Sequence, residues 1–193
     1  MFSLNGVMLR PLELDDIDTL YAWECDSELE ILAGWGPKRS RTAFRERYEK
    51  RITEPEDDLA MFGMEVDTKL IGYVQLAQID EVERRAAVGF LIGDKTLWGR
   101  GIGTTALCLW LDYAFTARSL ERVFAETYRF NMRSQRLLER VGFQREGILR
   151  QHEIHNGARQ DMHVFGLLKP EFYQRYETIF KVPALSEHPD ERH

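Results

Sequence analysis

Cysteine is scarce. Cys25 and Cys108 are the only two in 193 residues, they lie far apart, and they match no metal-ligand spacing. The chain must therefore fold on its own core rather than on metal or disulfide staples, and a reduced, cytoplasmic setting is the default expectation. Long apolar runs are missing too. The longest uncharged apolar stretch, Ala86 to Gly93, is less than half of the ~18–20 residues needed to span a bilayer, so no membrane partner is expected. The opening MFSLNGVMLRP has no basic segment followed by an apolar one, and no secretory signal is read there. Basic charge is not in excess. Lys and Arg number 26 against 32 Asp and Glu, a net charge of −6, which argues against a nucleic-acid partner. An acidic body favours, weakly, a cationic substrate. There is no internal repeat and no low-complexity block.

What remains is an ordinary globular balance: 44% hydrophobic, 30% charged and 11% aromatic residues. The length suits one domain with a real core. That domain is expected over residues 1–182, with a frayed tail over 183–193, where two prolines and alternating charges stand.

Periodicity predicts a mixed α/β order. Val7 to Arg10 reads as a short strand stopped by Pro11. Asp15, with Asp18 three residues on, reads as a helix N-terminus leading to about Cys25. Ser40 caps a second helix through about Ile52. Leu59–Val66 and Leu70–Ala77 read as strands around a turn at Asp67-Thr68-Lys69, and Ala86–Ile92 as a third strand buried on both faces. Ile102, Ala106 and Ala114 then recur at helical spacing. Arg122–Tyr128 is strand-like, and Arg133–Val141 is a short helix stopped by Gly142. Phe143–Ile154 and Asp161–Leu168 flank Asn156-Gly157, a hairpin signal. A last helix follows Pro170.

The most informative segment is Trp98-Gly99-Arg100-Gly101-Ile102-Gly103-Thr104, between a buried strand and an amphipathic helix. Glycines let backbone amides approach an anion closely. The helix N-terminus adds free N–H groups and about half a positive charge. Such a turn cradles a phosphate or diphosphate, or it is merely a tight connection. No lysine P-loop is present, and Gly-x-Gly-x-Gly without a preceding βαβ start fits a dinucleotide fingerprint poorly.

Downstream stands Asn131-Met-Arg-Ser134-Gln-Arg-Leu137-Leu-Glu-Arg-Val-Gly142-Phe143. Taken together, the glycine turn and this segment resemble the GNAT superfamily of acyl-CoA-dependent N-acyltransferases. Trp98 stands where that family often has Gln or Arg. Trp98 to Thr104, the opening Leu9-Arg10-Pro11-Leu12 and the closing Ile154-His155-Asn156-Gly157 with Asp161 are similar to the RimJ/RimL-type branch, which includes ribosomal-protein N-terminal acetyltransferases and spermidine acetyltransferase relatives. The resemblance spans roughly residues 7–170. It implies a mostly antiparallel central sheet with splayed middle strands, flanked by helices, with acetyl-CoA as cosubstrate and no metal. It also implies that Phe90, Leu91 and Ile92 pair with the pantetheine arm through their backbone, that amides from Gly99 to Thr104 hold the diphosphate, and that Arg100 either joins them or is a solvated surface arginine.

By the same resemblance, a backbone amide near Leu91 polarises the thioester, and an amine attacks directly, without a covalent enzyme intermediate. Neither cysteine falls at a family nucleophile position, so both Cys25 and Cys108 are expected to be core or structural. Asn131 is both a helix N-cap and a cofactor contact. Ser134 shares a face with Leu137, Leu138 and Val141, and is either a first-turn hydroxyl bonded to backbone or the acid near the thioester sulfur. Leu138 occupies the place of the usual acidic Tyr, and Ala87 that of a Glu some members carry. The thiolate is itself a fair leaving group, with a pKa of about 8.5. Glu153 is the candidate base near the acceptor, or a polar residue on a solvent face. His152 and His155 are expected on the opposite side of the strand. Trp35, in a Gly/Pro loop, is a substrate lid or a hydrophobic plug. Asp26, Glu28 and Glu30 attract a cation or form a solvated face.

The acceptor is expected to be a primary amine: a protein N-terminus, a polyamine, or an amine-bearing antibiotic or metabolite. Deprotonation at pH 7 costs ~1.4 kcal/mol for an α-amine of pKa ~8 and ~4.6 kcal/mol for a lysine-like amine of pKa ~10.4, so a weak base suits the first better. The competing reading is a non-catalytic acyl-CoA-binding sensor on the same fold. Dimers are common in the branch, and a homodimer is expected by analogy.

Overall fold

A computed structural model describes residues 1–34, 38–54 and 56–180. Trp35 and the 183–193 tail lie outside the described residues. The chain opens with a hairpin, β1 (Phe2–Leu4) and β2 (Val7–Pro11). Asn5 and Gly6 both have positive φ, 48° and 78°, which gives the turn the twist its strands need. Three helices follow: α1 (Ile17–Glu24), α2 (Ser27–Ala33) and α3 (Arg41–Thr53). A meander of β3 (Ala60–Val66), β4 (Lys69–Asp80) and β5 (Arg85–Ile92) leads into α4 (Ile102–Thr116). Then come β6 (Arg122–Tyr128), α5 (Met132–Val141), the hairpin β7 (Gln144–His155) and β8 (Ala158–Leu168), and the short α6 (Lys169–Tyr173).

All eight strands form one sheet, in the order β1-β2-β3-β4-β5-β6-β8-β7. Every neighbouring pair is antiparallel except β5–β6, which is parallel. One face carries the main core. Trp110, Leu107, Leu111 and Phe115 of α4 and Leu138 and Val141 of α5 bury against Met64, Val74, Leu76, Ala86 and Val123. The other face carries a smaller core, in which Ile17, Leu20 and Phe44 meet Leu12 and Leu70, with Tyr73 packed against them.

Two irregularities shape the centre of the sheet. Met64 pairs with Gly72 but Glu65 with Leu70, so Ile71 is an extra residue in β4. Its carbonyl accepts from both Gly93 N (2.8 Å) and Asp94 N (3.1 Å) and turns the chain out of β5. The second irregularity is the parting of β5 and β6. Their parallel pairing runs from Arg85↔Arg122 to Ala87↔Phe124, and Val88–Ile92 have no β6 partner.

Several expectations are corrected. Helix α1 begins at Ile17, just after the Asp15 start that was read, behind a 3-10 turn at Leu14–Asp16, and Asp15 does not cap it. The Asp16 carboxylate instead accepts from Arg10 (2.7 and 2.9 Å) and from Glu13 N (2.8 Å). Burial pushes its pKa up, but these partners hold it below the usual carboxylate range. Arg10 also binds Glu65 at 2.7 Å, so this arginine of the opening motif is a clamp between β2, β3 and the 3-10 turn. Strand β5 is not buried on both faces: Ala86, Val88 and Leu91 are, whereas Ala87, Gly89, Phe90 and Ile92 are half-covered. Cys25 is exposed, while Cys108 is half-buried in α4.

Candidate active site

The parted strands open a cleft. Phe90, Leu91 and Ile92 line it from β5, Leu29, Leu32 and Ala33 from α2, and Asn131, Arg133, Ser134 and Leu137 from the start of α5. A second groove of about 550 Å³ shares Ile92, Trp98, Arg133 and Leu137 with it and extends to Gly99, Gly101, Ile102, Gly103 and Thr104, with Arg136 and Arg140 also in its lining.

The turn at the groove's base has the donors an anion needs. Gly101 is the N-cap of α4 with φ 83°, and Gly99 has φ 80°. Both are in the left-handed region that only glycine enters without strain. After Trp98, the first backbone amide to find a carbonyl is Thr105, which donates to Gly101 at 3.1 Å. The amides of residues 99–104 are therefore available, as the first turn of a helix dictates. A Cβ on Gly103 would come within 2.7 Å of Leu137 and 3.1 Å of Ile92, so this glycine lets α4, α5 and β5 close on one another. Arg100 is exposed.

Trp98 has a role that sequence reading missed. Its Nε1 donates to the Ile92 carbonyl at 2.8 Å. One of the backbone acceptors assigned to the pantetheine arm is thus already engaged. The Arg133 guanidinium lies 3.7 Å from the centroid of the Trp98 ring, a cation–π contact that braces the cleft. The Leu91 carbonyl leans toward β4, where a Cβ on Gly72 would meet it at 2.1 Å.

Asn131 caps α5. Its Oδ1 accepts from Ser134 N at 3.1 Å, and its Nδ2 donates to the Leu32 carbonyl of α2 at 3.1 Å. The side chain thus ties α2 to α5 across the cleft. The Ser134 hydroxyl makes no hydrogen bond among the described residues, so it is not spent on the backbone. Leu138 is fully buried core, with no polar function.

Glu153 is not on a solvent face. Its Oε2 accepts from the Tyr128 hydroxyl at 2.8 Å. Burial, and then the Glu153 bond, push the Tyr128 pKa up to about 12, so the phenol remains a donor at any physiological pH. Tyr128 stacks on Phe130 (5.0 Å, 7°) and lies 4.9 Å from the His155 ring. Gly34, with φ 65°, lets the chain after α2 lie against Tyr128: a Cβ there would sit 2.4 Å from the ring. Tyr128 carried no motif signal. Only its place three residues before Asn131, at the end of β6, pointed to it.

The histidines are also corrected. His155 is two residues from Glu153 and shares its side, against Tyr128. His152 joins them: ligand atoms of Glu126, His152 and Glu153 lie within 4.8 Å of one another. The strand's alternation fails because Leu149 pairs with Met162 but Glu153 with Gln160, so residues 150–152 face a single residue of β8. Gln151 takes φ 50° there. The acidic group near α2 is a neutralised face. Lys95 binds Asp26 (2.7 Å) and Glu28 (3.1 Å), and Lys38 binds Glu30 (2.9 Å).

A sheet with one parallel, parted pair over a glycine-rich helix start defines an acyl-CoA-binding fold, and comparison with known proteins agrees. Residues 7–144 match the family model described as "Acetyltransferase (GNAT) domain". The chain is 37% identical over 180 residues to the "Probable N-acetyltransferase YjcK" of Bacillus subtilis, covering 89% of this chain and 98% of that one. It is 26% identical over 180 residues to the spermidine N(1)-acetyltransferase of Escherichia coli K12, covering 92% and 94%. The crystal structure of spermidine N-acetyltransferase from Vibrio cholerae in complex with CoA and spermine superposes with a TM-score of 0.81 at 26% identity, over 88% of this chain and 99% of that one.

The chain belongs to the GNAT acetyltransferase family. It is an acetyl-CoA-dependent N-acetyltransferase, with acetyl-CoA as its cosubstrate and an amine as acceptor. The free amides at the glycine turn and the unpaired edge of β5 suit that cosubstrate.

Proposed function

We propose that the acceptor is a primary amine of low pKa carried on an apolar body, with a protein N-terminus the leading class. The observation that carries this reading is the Tyr128–Glu153 pair beside an aromatic platform. One Glu153 oxygen is fixed by the phenol, which leaves Oε1 to accept from an incoming amine. Phe130, stacked on Tyr128, is a large apolar side chain left 41% exposed, a surface that suits an apolar first residue. The carboxylates of Glu126 and Glu153 lie together at one point. A polyamine carries several separated charges and is better served by spaced carboxylates, and the other acidic groups nearby are bound to lysines.

In the reading we favour, the diphosphate of acetyl-CoA sits on amides from Gly99 to Thr104, with Arg100 at its edge, and the pantetheine arm lies along Phe90, Leu91 and Ile92 past Asn131. The amine attacks the thioester carbonyl directly in a ternary complex. Its proton passes to Glu153, directly or through water, and the departing thiolate takes a proton from Ser134 or water. A backbone amide near Leu91 would stabilise the oxyanion, a contribution typically worth ~3–4 kcal/mol. Polyamine acetylation is the second reading, favoured by the spermidine acetyltransferase relatives.

Thiol release from acetyl-CoA with a ribosomal-protein N-terminal peptide, spermidine and an aminoglycoside decides between them. The peptide should give the highest kcat/KM. Spermidine outrunning every peptide would overturn the reading.

A further inference from the structure

Asp161, the last residue of the Asn156-Gly157 motif, stands where β7 leaves its register. The hairpin turn fixes one end of the pairing, with His155 opposite Ala158, Ile154 opposite Arg159 and Glu153 opposite Gln160. From the other end, Leu149 pairs with Met162. Asp161 is therefore the one residue of β8 that faces Arg150, Gln151 and His152. Continued in unbroken register from Leu149, β7 would set Gln151 opposite Gln160 and Glu153 opposite Ala158. The two inserted residues leave Glu153 on the same side of the sheet but carry it two places along β8, a shift of about 7 Å. Tyr128 pairs with Met162, so the shift is toward Tyr128. Without it, the 2.8 Å bond between the Tyr128 hydroxyl and Glu153 could not form.

The bulge needs support. Its extra residues lose their ladder partners, and Gln151 is held at φ 50°, in the left-handed region that a side chain disfavours. Asp161 supplies that support. Its Oδ1 accepts from Gln151 N at 2.9 Å. Its Oδ2 accepts from Arg129 Nη1 at 3.4 Å, and its carbonyl from Arg129 N at 3.1 Å. One residue thus grips both the bulge before Glu153 and the residue after Tyr128. Arg159 Nη1 holds the bulge from its other side, donating to the Gln151 carbonyl (3.2 Å) and the His152 carbonyl (3.4 Å). We propose that Asp161 is a positioning residue: by accepting the Gln151 amide it holds the bulge of β7, and so brings Glu153 to Tyr128. It acts through Glu153 and touches no reacting atom. The inference rests on the reading of Glu153 as the base.

Steady-state kinetics on the full chain test it, with whichever of spermidine and the N-terminal peptide the wild type acetylates faster. Asp161→Ala should lower kcat/KM for that amine about 10- to 100-fold, the range for loss of a hydrogen bond to a charged group. Its affinity for acetyl-CoA, read by calorimetry, should stay as in the wild type. Asp161→Asn keeps an oxygen for the Gln151 amide and should keep most of the activity. In a Glu153→Gln background, Asp161→Ala should cost little more, because the two act in series. Wild-type activity in Asp161→Ala would overturn the proposal. Equal losses in the Asn and Ala variants would do so too, since the charge facing Arg129 would then be what matters. So would the same loss with and without Glu153, since Asp161 would then act by another route. Full activity in Glu153→Gln would overturn the base reading and this inference with it, whereas an impaired Glu153→Gln beside an unimpaired Asp161→Ala strikes the inference alone. If melting curves show Asp161→Ala unfolded, Arg159→Ala, at an exposed position, takes its place. It should lower the same ratio by a smaller factor, and no change would overturn the proposal.

Discussion

At the scale of single residues, the site turns on a bond between two side chains 25 positions apart. Tyr128→Phe removes the donor to Glu153 and little else, because the ring keeps its stack on Phe130. A hydrogen bond to a charged group is worth ~1.5–3 kcal/mol, so kcat/KM for the amine should fall about 10- to 100-fold. Affinity for acetyl-CoA should stay as it is. Glu153→Gln should cost at least as much, and adding Tyr128→Phe to it should cost little more, since the two act as one unit. Steady-state kinetics on the four proteins would show this, and independent additive losses would refute the coupling. The family resemblance made Glu153 visible, three residues before Asn156. The sequence hid Tyr128, because a tyrosine ending a strand has many uses. It misplaced His152 for another reason: strand alternation was applied across a bulge that no residue between 149 and 153 announces. His155 needed no bulge, since alternation itself puts a residue two places from Glu153 on the same side. Arg10 was seen as a motif residue, and only the fold shows it as a clamp on Asp16 and Glu65.

At the scale of elements, the strand-to-helix connection after β5 is built from caps. Asp94 accepts from Thr96 N (3.1 Å) and Thr96 Oγ1 (2.6 Å), and binds Lys69 Nζ at 2.7 Å. The Lys69 ammonium and then the Thr96 hydroxyl pull its pKa down to about 2 from 3.8. A depressed carboxylate stabilises the fold above its unfolded value, and that contribution is lost as pH falls toward about 2. Asp94→Ala should destabilise the protein by ~1–2 kcal/mol in urea unfolding at pH 7, as loss of a cap does. The difference from wild type should shrink when both are measured below pH 4. A constant difference across that range would mean that packing, not charge, is at work. Cysteine chemistry tests a second element. Burial in α4 pushes the Cys108 thiol up to about 11, whereas Cys25 is exposed. A disulfide reagent at pH 8 should label one thiol per native chain quickly and the second only on unfolding. Two fast thiols would refute the burial of Cys108. Helices and strands longer than six residues were mostly legible, since their apolar spacing is long enough to show a period. Helix α2 was not, because it is only seven residues long and two of them are carboxylates, Glu28 and Glu30. The β1–β2 hairpin was missed although Asn5-Gly6 carries the same signal that located Asn156-Gly157, since a three-residue strand shows no alternation.

At the scale of the whole molecule, the enzyme is a sheet that declines to close. Six of its seven neighbouring pairs are antiparallel, and the seventh is abandoned after three residues. A central strand with an unpaired edge is a liability in any sheet. Here Trp98 covers one exposed carbonyl, that of Ile92, and the rest of the edge faces the cleft. A ligand with alternating amide donors and acceptors can pair with that edge, so binding and completion of the sheet should be one event. Hydrogen exchange can follow it. With saturating CoA, amides in two separated segments, 88–92 and 99–104, should slow together, while those of the β7–β8 hairpin should not change. The coupling also has a global readout. Ligand at ~100 times its Kd adds ~2.7 kcal/mol to stability, and for a chain of this size each kcal/mol raises Tm by ~2–4 °C. The melting point should therefore climb by roughly 5–11 °C on those two scales. If Tm rises while exchange in 88–92 stays fast, the ligand is held by its phosphates alone and the parted strands are not its second support. If neither moves, the cleft between β5 and β6 is not where the cosubstrate lies. Slowing of both segments with a matching rise in Tm would tie the opening in the sheet to the free amides of the turn as a single binding surface.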